Sequence, residues 1–572
     1  MDNFNLSVDL IDRIEVIKGP GSAVHGADAF SGVINVVTKG YDADTSSDIG
    51  LMTGSFGYKS AWVNSGFTKD NFKFAINAQA TSTDGDSSRI VEEDALYGLG
   101  LGAISHAPGP LDTKLDTEEL HLKLQIDGLE TSFWYLKNDG GTGAGGAQAI
   151  PRNDQSTHEA YNFRIAYNGK LGKNWTISSS ATYQDYKGDT RFEIFPPGMA
   201  LPRQFDENGV PIAFTIFPDG IIGKPITKDS NIELDLTAFY YGWSNHSIRM
   251  SFGLLKNDFE VEEYKNFGPL AQTFTEDFRD GSLVDVTGTP FIYSPDAERD
   301  VVYVSLQDEW SLAKDWELTA GIRFDDYSDF GSTINPRLAL VWQARHNLTI
   351  KSLYGKAFRA PSFGELYAIN NPIILGNENL DAEEIDTFEL ALDYRPNFDW
   401  KLLFNVFKYR ADNLIVYTPQ SDGSQQANNA AAQEGLGFEA LASWQASDNV
   451  ELKLSYAWQK PEDADTGEYI ADAPKDLLYF AVNWELNDDF TFHFDSKWIK
   501  DRARLPSDTR TQIADYNWSN ANLNYHLSKN IDLSLLIRNI FDENAREPSD
   551  GQIPNDYPLE ESGYWLKASY TF

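Results

Sequence analysis

The stretch Leu120-His-Leu-Lys-Leu-Gln-Ile-Asp127 places an apolar side chain at every even position and a polar one at every odd position. A period of two belongs to a β-strand whose two faces meet different surroundings. The same alternation returns at Ile232, Leu234 and Leu236, at Leu338, Leu340 and Trp342, at Val450, Leu452, Leu454, Tyr456 and Trp458, and at Phe490, Phe492 and Phe494. Counting such segments predicts about 22 strands, an even number that suits a large closed barrel. They run from 48-56 and 58-68, through 117-127, 129-137, 159-169, 174-187 and 230-241, to 530-539 and 562-572. Short turns near 127-128, 169-173, 345-347 and 447-449 alternate with long loops near 83-116, 138-158, 188-229, 259-297, 358-383, 502-517 and 540-561. In transmembrane barrels the trimmed rim is periplasmic and the elaborated rim faces outward. An antiparallel sandwich or propeller also alternates, but neither accounts for two such unlike rims. The chain also ends on alternating Tyr564, Leu566, Ala568, Tyr570 and Phe572.

Composition agrees with one face in lipid and the other in water. Aromatics make up 13% of the 572 residues, 14 of them Trp, although charged residues reach 23%. No apolar run reaches the roughly 18 residues that a spanning helix needs, which excludes a helical membrane protein. The absence of Cys removes disulfides, thiolate metal sites and Cys nucleophiles. Lys plus Arg number 47 against 86 Asp plus Glu, a net charge of -39, and so acidic a chain excludes nucleic acid as a partner. Residues 141-146 satisfy a G-x-G-x-x-G spacing, yet no βαβ pattern follows, so they read as a flexible loop. The eight His show no ligand spacing, and no catalytic triad can be read, so the chain is not expected to be an enzyme.

Upstream lies a run of different character, Ile11-Asp-Arg-Ile-Glu-Val-Ile-Lys-Gly-Pro-Gly-Ser-Ala-Val-His-Gly-Ala-Asp-Ala-Phe-Ser-Gly-Val-Ile-Asn-Val-Val-Thr-Lys39. Its apolar β-rich segments flank a glycine-punctuated turn, which predicts strand, tight turn, short helical turn, strand. This run resembles the last third of the plug domain of TonB-dependent outer-membrane receptors. Lys18 stands where that family usually has Arg, and His25 where it usually has Tyr. Likeness continues through Lys356-Ala-Phe-Arg-Ala-Pro361 with Glu365-Leu-Tyr367, Asn379-Leu380 with Glu383, Glu384 and Glu389, Asn335-Pro-Arg337, and Arg538-Asn-Ile-Phe-Asp542. It departs near the end, where Tyr564 follows Gly563 in place of the frequent Arg.

The resemblance implies residues 1-41 as the C-terminal part of a plug and 42-572 as a transmembrane β-barrel in the outer membrane of a Gram-negative bacterium. It implies an imported ligand, a ferric siderophore first and cobalamin second, energy coupling by TonB-ExbB-ExbD, a lipid and lipopolysaccharide environment, and a monomer. No leader, TonB box or earlier plug segment is read before Met1, so the chain is expected to be truncated. A passive pore and a soluble β-rich binding module are the competing readings. Arg13, Glu15 and Lys18 are expected to hold plug to wall. Loop aromatics and cations, Arg191, Phe192, Phe195, Arg203, Tyr264, Phe267, Phe291 and Tyr293, are expected to bind a planar anionic chelate by stacking and charge-assisted bonds. Asp84, Asp86, Glu92, Glu93 and Asp94 offer hard oxygen ligands for a candidate Ca²⁺; no other cofactor is expected.

Overall fold

The computed structural model describes residues 6–27, 29–41, 47–145, 148–208, 210–268, 281–371, 374–549 and 551–572. A closed barrel of 22 antiparallel strands begins at Asp48–Gly54 and ends at Gly563–Thr571. These two strands zip the sheet shut with Ile49 opposite Tyr570, Leu51 opposite Ala568 and Thr53 opposite Leu566. Alternation decides which residues face out. Tyr564, Leu566 and Tyr570 are exposed on the outer wall, whereas Trp565 between them is only 5% exposed and turns inward.

Each expected strand is present, and their periplasmic ends fall within a residue or two of the positions read from the sequence. The extracellular ends run much further. Trp175–Phe195 and Ile221–Tyr240 extend far into the expected 188-229 loop, and Trp400–Pro419 with Gln425–Ser447 forms a tall hairpin. Above the membrane both sheet faces meet water or loops, so the apolar alternation fades while ladder hydrogen bonding continues. At the opposite rim, cross-strand aromatic pairs mark the periplasmic interface: Trp175 with Tyr240 at 4.7 Å, Trp316 with Trp342 at 4.9 Å, and Trp400 with Trp444 at 5.1 Å. Amphipathic rings favour that headgroup level.

Inside the lumen, strand β1 (Ile11–Lys18) pairs antiparallel with β2 (Gly32–Thr38), and α1 (Ser22–His25) bridges them. Wall contacts fix this segment on several sides. Asp9 pairs with Lys567 and Lys18 with Glu439. Asn77 Nδ2 donates to the Lys39 carbonyl at 3.0 Å, and Phe358 N donates to Ser22 Oγ at 3.3 Å. Gly19 and Gly26 have φ of 79° and 81°, and a Cβ on either would strike the carboxylate of Glu389 or the guanidinium of Arg323. Only glycine fits there. Arg13 and Glu15 do not reach the wall: Arg13 Nε donates to Glu15 Oε1 at 2.8 Å, and Glu15 also accepts from Asn35. Two residues apart on β1, the pair share one face of the strand and satisfy each other there. Ile14, Val16 and Ile34 remain exposed within the lumen.

Two ionic clamps brace the extracellular rim. Arg359 donates from both terminal nitrogens to Glu365 at 2.9 and 3.0 Å and from Nε to Glu383 at 2.6 Å. The separated motifs noted in the sequence are thus one three-residue contact. On the other side, Arg504 grips Asp556 at 2.9 and 2.6 Å, and Arg510 bonds Asp508 at 2.6 Å while reaching Asp556 at 3.2 Å. The hydrogen bonds and charge of Arg510 hold the Asp508 carboxyl at about 2, below its ordinary 3.8. Burial pushes Asp556 up, but its bonds to Arg504 and Ser549 bring it below the usual range. Lowered carboxyl values mean stability present in full above pH 3.8 and lost as pH falls through that value toward 2. Pepsin should therefore leave residues 503–515 intact at pH 4 and nick them only as pH approaches about 2; cleavage already at pH 4 would contradict the clamp.

Candidate functional site

Tyr161, Phe163, Ile165 and Tyr167 on the strand Gln155–Leu171 are exposed to lipid, so Ser156, His158, Ala160 and Asn162 face the lumen. Register carries this parity sideways. His158 stands opposite Asn138 and Gly188, and Tyr186 opposite Ala160 and Asp229. Beneath the extracellular loops these inward positions enclose a cavity of about 1010 Å³, with Trp134, His158, Tyr186, Phe192, Phe259 and Tyr293 on its wall. Several rings are fixed. His158 engages Ser156 Oγ through Nε2 at 2.7 Å and the Tyr186 hydroxyl through Nδ1 at 2.6 Å, and the two rings stack. Trp134 stacks on His121 at 5.8 Å; His121 in turn bonds Glu119 at 2.6 Å, and Glu119 accepts from Ser7 N at 2.9 Å. One line of contacts thus joins the vestibule wall to the lumenal segment.

Tyr293 is held from two sides. Its backbone N donates to Glu263 Oε2 at 2.7 Å, and its carbonyl accepts from Ile369 N at 2.8 Å. Glu263 pairs at 3.2 Å with Lys265, whose side chain is wholly buried and also reaches the Asn370 carbonyl at 3.3 Å. Burial pushes the Glu263 carboxyl up and the Lys265 ammonium down, each partly opposed by the other's charge. Burial, with the Glu263 charge added, raises the Tyr293 phenol to about 12, so it stays a neutral donor. The charges lining the vestibule nearly cancel: Lys114 pairs with Asp112 at 3.4 Å, Arg89 Nε donates to the Pro558 carbonyl at 2.8 Å, and the carboxylate of Asp229 faces inward beside Asn231. A second hollow of about 1040 Å³ lies on the outer wall among Leu51, Ala61, Ala80, Leu533 and Leu566, where it meets hydrocarbon.

Of the residues named from sequence, Phe192 and Tyr293 line the vestibule. Phe195 and Phe267 instead pack with Met199, Phe217 and Ile221 in a loop core, because large rings beneath long loops supply the apolar contacts that order them. Tyr264 stands on the parity opposite to buried Glu263 and Lys265 and is exposed. Arg191 donates to the Asn153 carbonyl at 2.8 Å on the surface, and Phe291, partly buried in its loop, accepts from Asn370 at 2.8 Å. The Arg203 side chain lies outside the described residues. The acidic stretch is divided rather than converging. Asp86 bonds Ser88 and accepts from Glu561 N, and buried Asp94 caps Leu96 and binds Ser105 and Ile150. Asp84, Glu92 and Glu93 are exposed, and among the described residues no three His, Asp or Glu side chains gather as a metal cage. Trp134, His158, Tyr186 and Phe259 were not singled out from sequence. Inward parity near the extracellular end of a strand is the signal that finds them.

The TonB dependent receptor-like β-barrel family model matches residues 112–540. Ferric enterobactin receptor PirA of Pseudomonas aeruginosa is 23% identical over 93% of this chain and 75% of its own length. Vitamin B12 transporter BtuB of Photobacterium profundum is 24% identical over 98% of this chain and 80% of its own. The crystal structure of the siderophore receptor PirA from Acinetobacter baumannii superposes with a TM-score of 0.71 at 16% identity, covering 98% of this chain and 85% of that one. Replacing Lys265 with Met strands Glu263 in an apolar site and should cost about 3–5 kcal/mol, read as faster hydrogen exchange at 286–296 and 368–371. Adding Glu263→Gln should recover most of that loss. Exchange unchanged in Lys265→Met would show that the pair does not hold Tyr293.

Proposed function

The chain belongs to the TonB-dependent receptor β-barrel family, and from that premise we propose that the ligand it imports is a ferric siderophore. As a member it is an outer-membrane receptor and transporter of a Gram-negative bacterium that takes up a small ligand in partnership with TonB. Its business is transport rather than covalent chemistry. The observation that carries the siderophore reading is the vestibule itself. A lumenal cavity of about 1010 Å³ accepts a compact chelate, and its fixed rings offer flat apolar faces for the ligand's rings and methylenes. Entry from outside leads past the clamped rim to Tyr293 and Phe192, then to Tyr186 and Trp134. In this reading ExbB and ExbD energise TonB, and the protein works as a monomer among lipid and lipopolysaccharide.

Protein refolded into detergent micelles should show saturable quenching of tryptophan fluorescence on titration with a ferric siderophore. Trp134→Ala should weaken that binding about tenfold, near 1.4 kcal/mol. Cobalamin binding in place of every siderophore tried would overturn the ligand class, and unchanged affinity in Trp134→Ala would overturn the site.

A further inference from the structure

We infer that the vestibule selects a ligand without net negative charge, so that within the siderophore class it takes a neutral ferric hydroxamate-type chelate rather than a polyanionic catecholate one. The inference rests on the siderophore reading above and concerns the charge of the ligand, which that reading leaves open. A polyanion entering a semi-enclosed cavity sheds water and needs cations free to replace it. The lining cations are already committed. Lys114 is paired with Asp112 at 3.4 Å, and Arg89, whose charge burial disfavours more than nearby Asp86 and Glu560 support it, gives its Nε hydrogen to the Pro558 carbonyl at 2.8 Å. Arg191, the described cation beside Phe192, turns to the Asn153 carbonyl at the surface. Asp229 faces the cavity from the strand next to Tyr186. A carboxylate on the cavity wall repels an entering polyanion.

What the wall does offer is neutral. Asn162, Gln184, Thr190, Thr227 and Asn231 supply amides and hydroxyls on the same inward parity as the aromatic rings. Such groups pair with the amide and hydroxamate oxygens of an uncharged chelate without leaving a buried charge exposed. A tris-catecholate complex, which carries three negative charges, would meet on the described part of this wall cations already engaged and the carboxylate of Asp229.

Binding would be measured on the refolded full chain with three probes, a neutral ferric trihydroxamate, a trianionic ferric tris-catecholate and cyanocobalamin, each in 0.05 M and 0.5 M salt. The trihydroxamate should bind at least about tenfold tighter than the tris-catecholate, with an affinity that salt leaves unchanged. Asp229→Asn should narrow the gap between the two chelates. Tighter binding of the tris-catecholate, weakened by salt, would overturn the charge inference and leave the siderophore reading standing. Binding of cyanocobalamin alone would keep the charge inference and overturn the siderophore reading. Binding of none of the three would overturn both.

Discussion

Hydrocarbon offers a peptide group no hydrogen-bond partner, so a sheet in a membrane must close on itself. Here closure falls to two short strands, Asp48–Gly54 and Gly563–Thr571, drawn from opposite ends of the barrel sequence. Each unpaired backbone group in lipid would cost several kcal/mol. Once the seam is fixed, parity is fixed on every strand. Phe, Leu and Tyr face lipid, while Asn64, Asn77 and Asn335, all fully buried, face the lumen.

Function follows from that parity carried beyond the membrane. The tall extracellular halves of the strands lift inward residues above the bilayer, where they become the wall of the vestibule. The loops above are not free coils. Arg359 binds residues from a helix and a following strand, Lys265 and Glu263 hold Tyr293 in place, and apolar loop cores form around Phe217 and Ile553. Below, β1, α1 and β2 are fastened to the wall by pairs such as Asp9 with Lys567 and Lys18 with Glu439. Contact from Trp134 through His121 and Glu119 to Ser7 connects the two levels.

Much of the fold was legible because membrane strands must alternate. Leu120 to Asp127 declares its two faces without any knowledge of its neighbours, and short turns such as 127-128 fix the periplasmic ends. Legibility stops where the solvent on both faces becomes the same, so the upper part of Trp175–Phe195 reads as loop and that of Gln425–Ser447 is left outside the strand expected at 434-446. The site was harder to see. Phe192 and Phe267 look alike in sequence, yet one faces the vestibule and the other is buried in a loop core, because parity within a long strand and packing between distant loops decide the outcome. Arg13, Glu15 and Lys18 likewise appear equivalent, and only Lys18 stands where it meets Glu439, while Arg13 pairs with Asp12 and Glu15 on its own strand. The acidic run at 84-94 suggested a cation site, whereas Asp86 and Asp94 are spent on backbone amides of other loops.

Everything above depends on the seam and its register. Because the chain has no Cys, the pair Leu51→Cys and Ala568→Cys can be read without background. In native outer membranes the account predicts that these two, directly opposed across the closing strands, cross-link under mild oxidation and keep the barrel intact on heating in SDS. Failure to cross-link while Ile49→Cys pairs with Ala568→Cys would mean a register shifted by two residues, with the lumenal wall, and the vestibule built on it, assembled differently from the structure described.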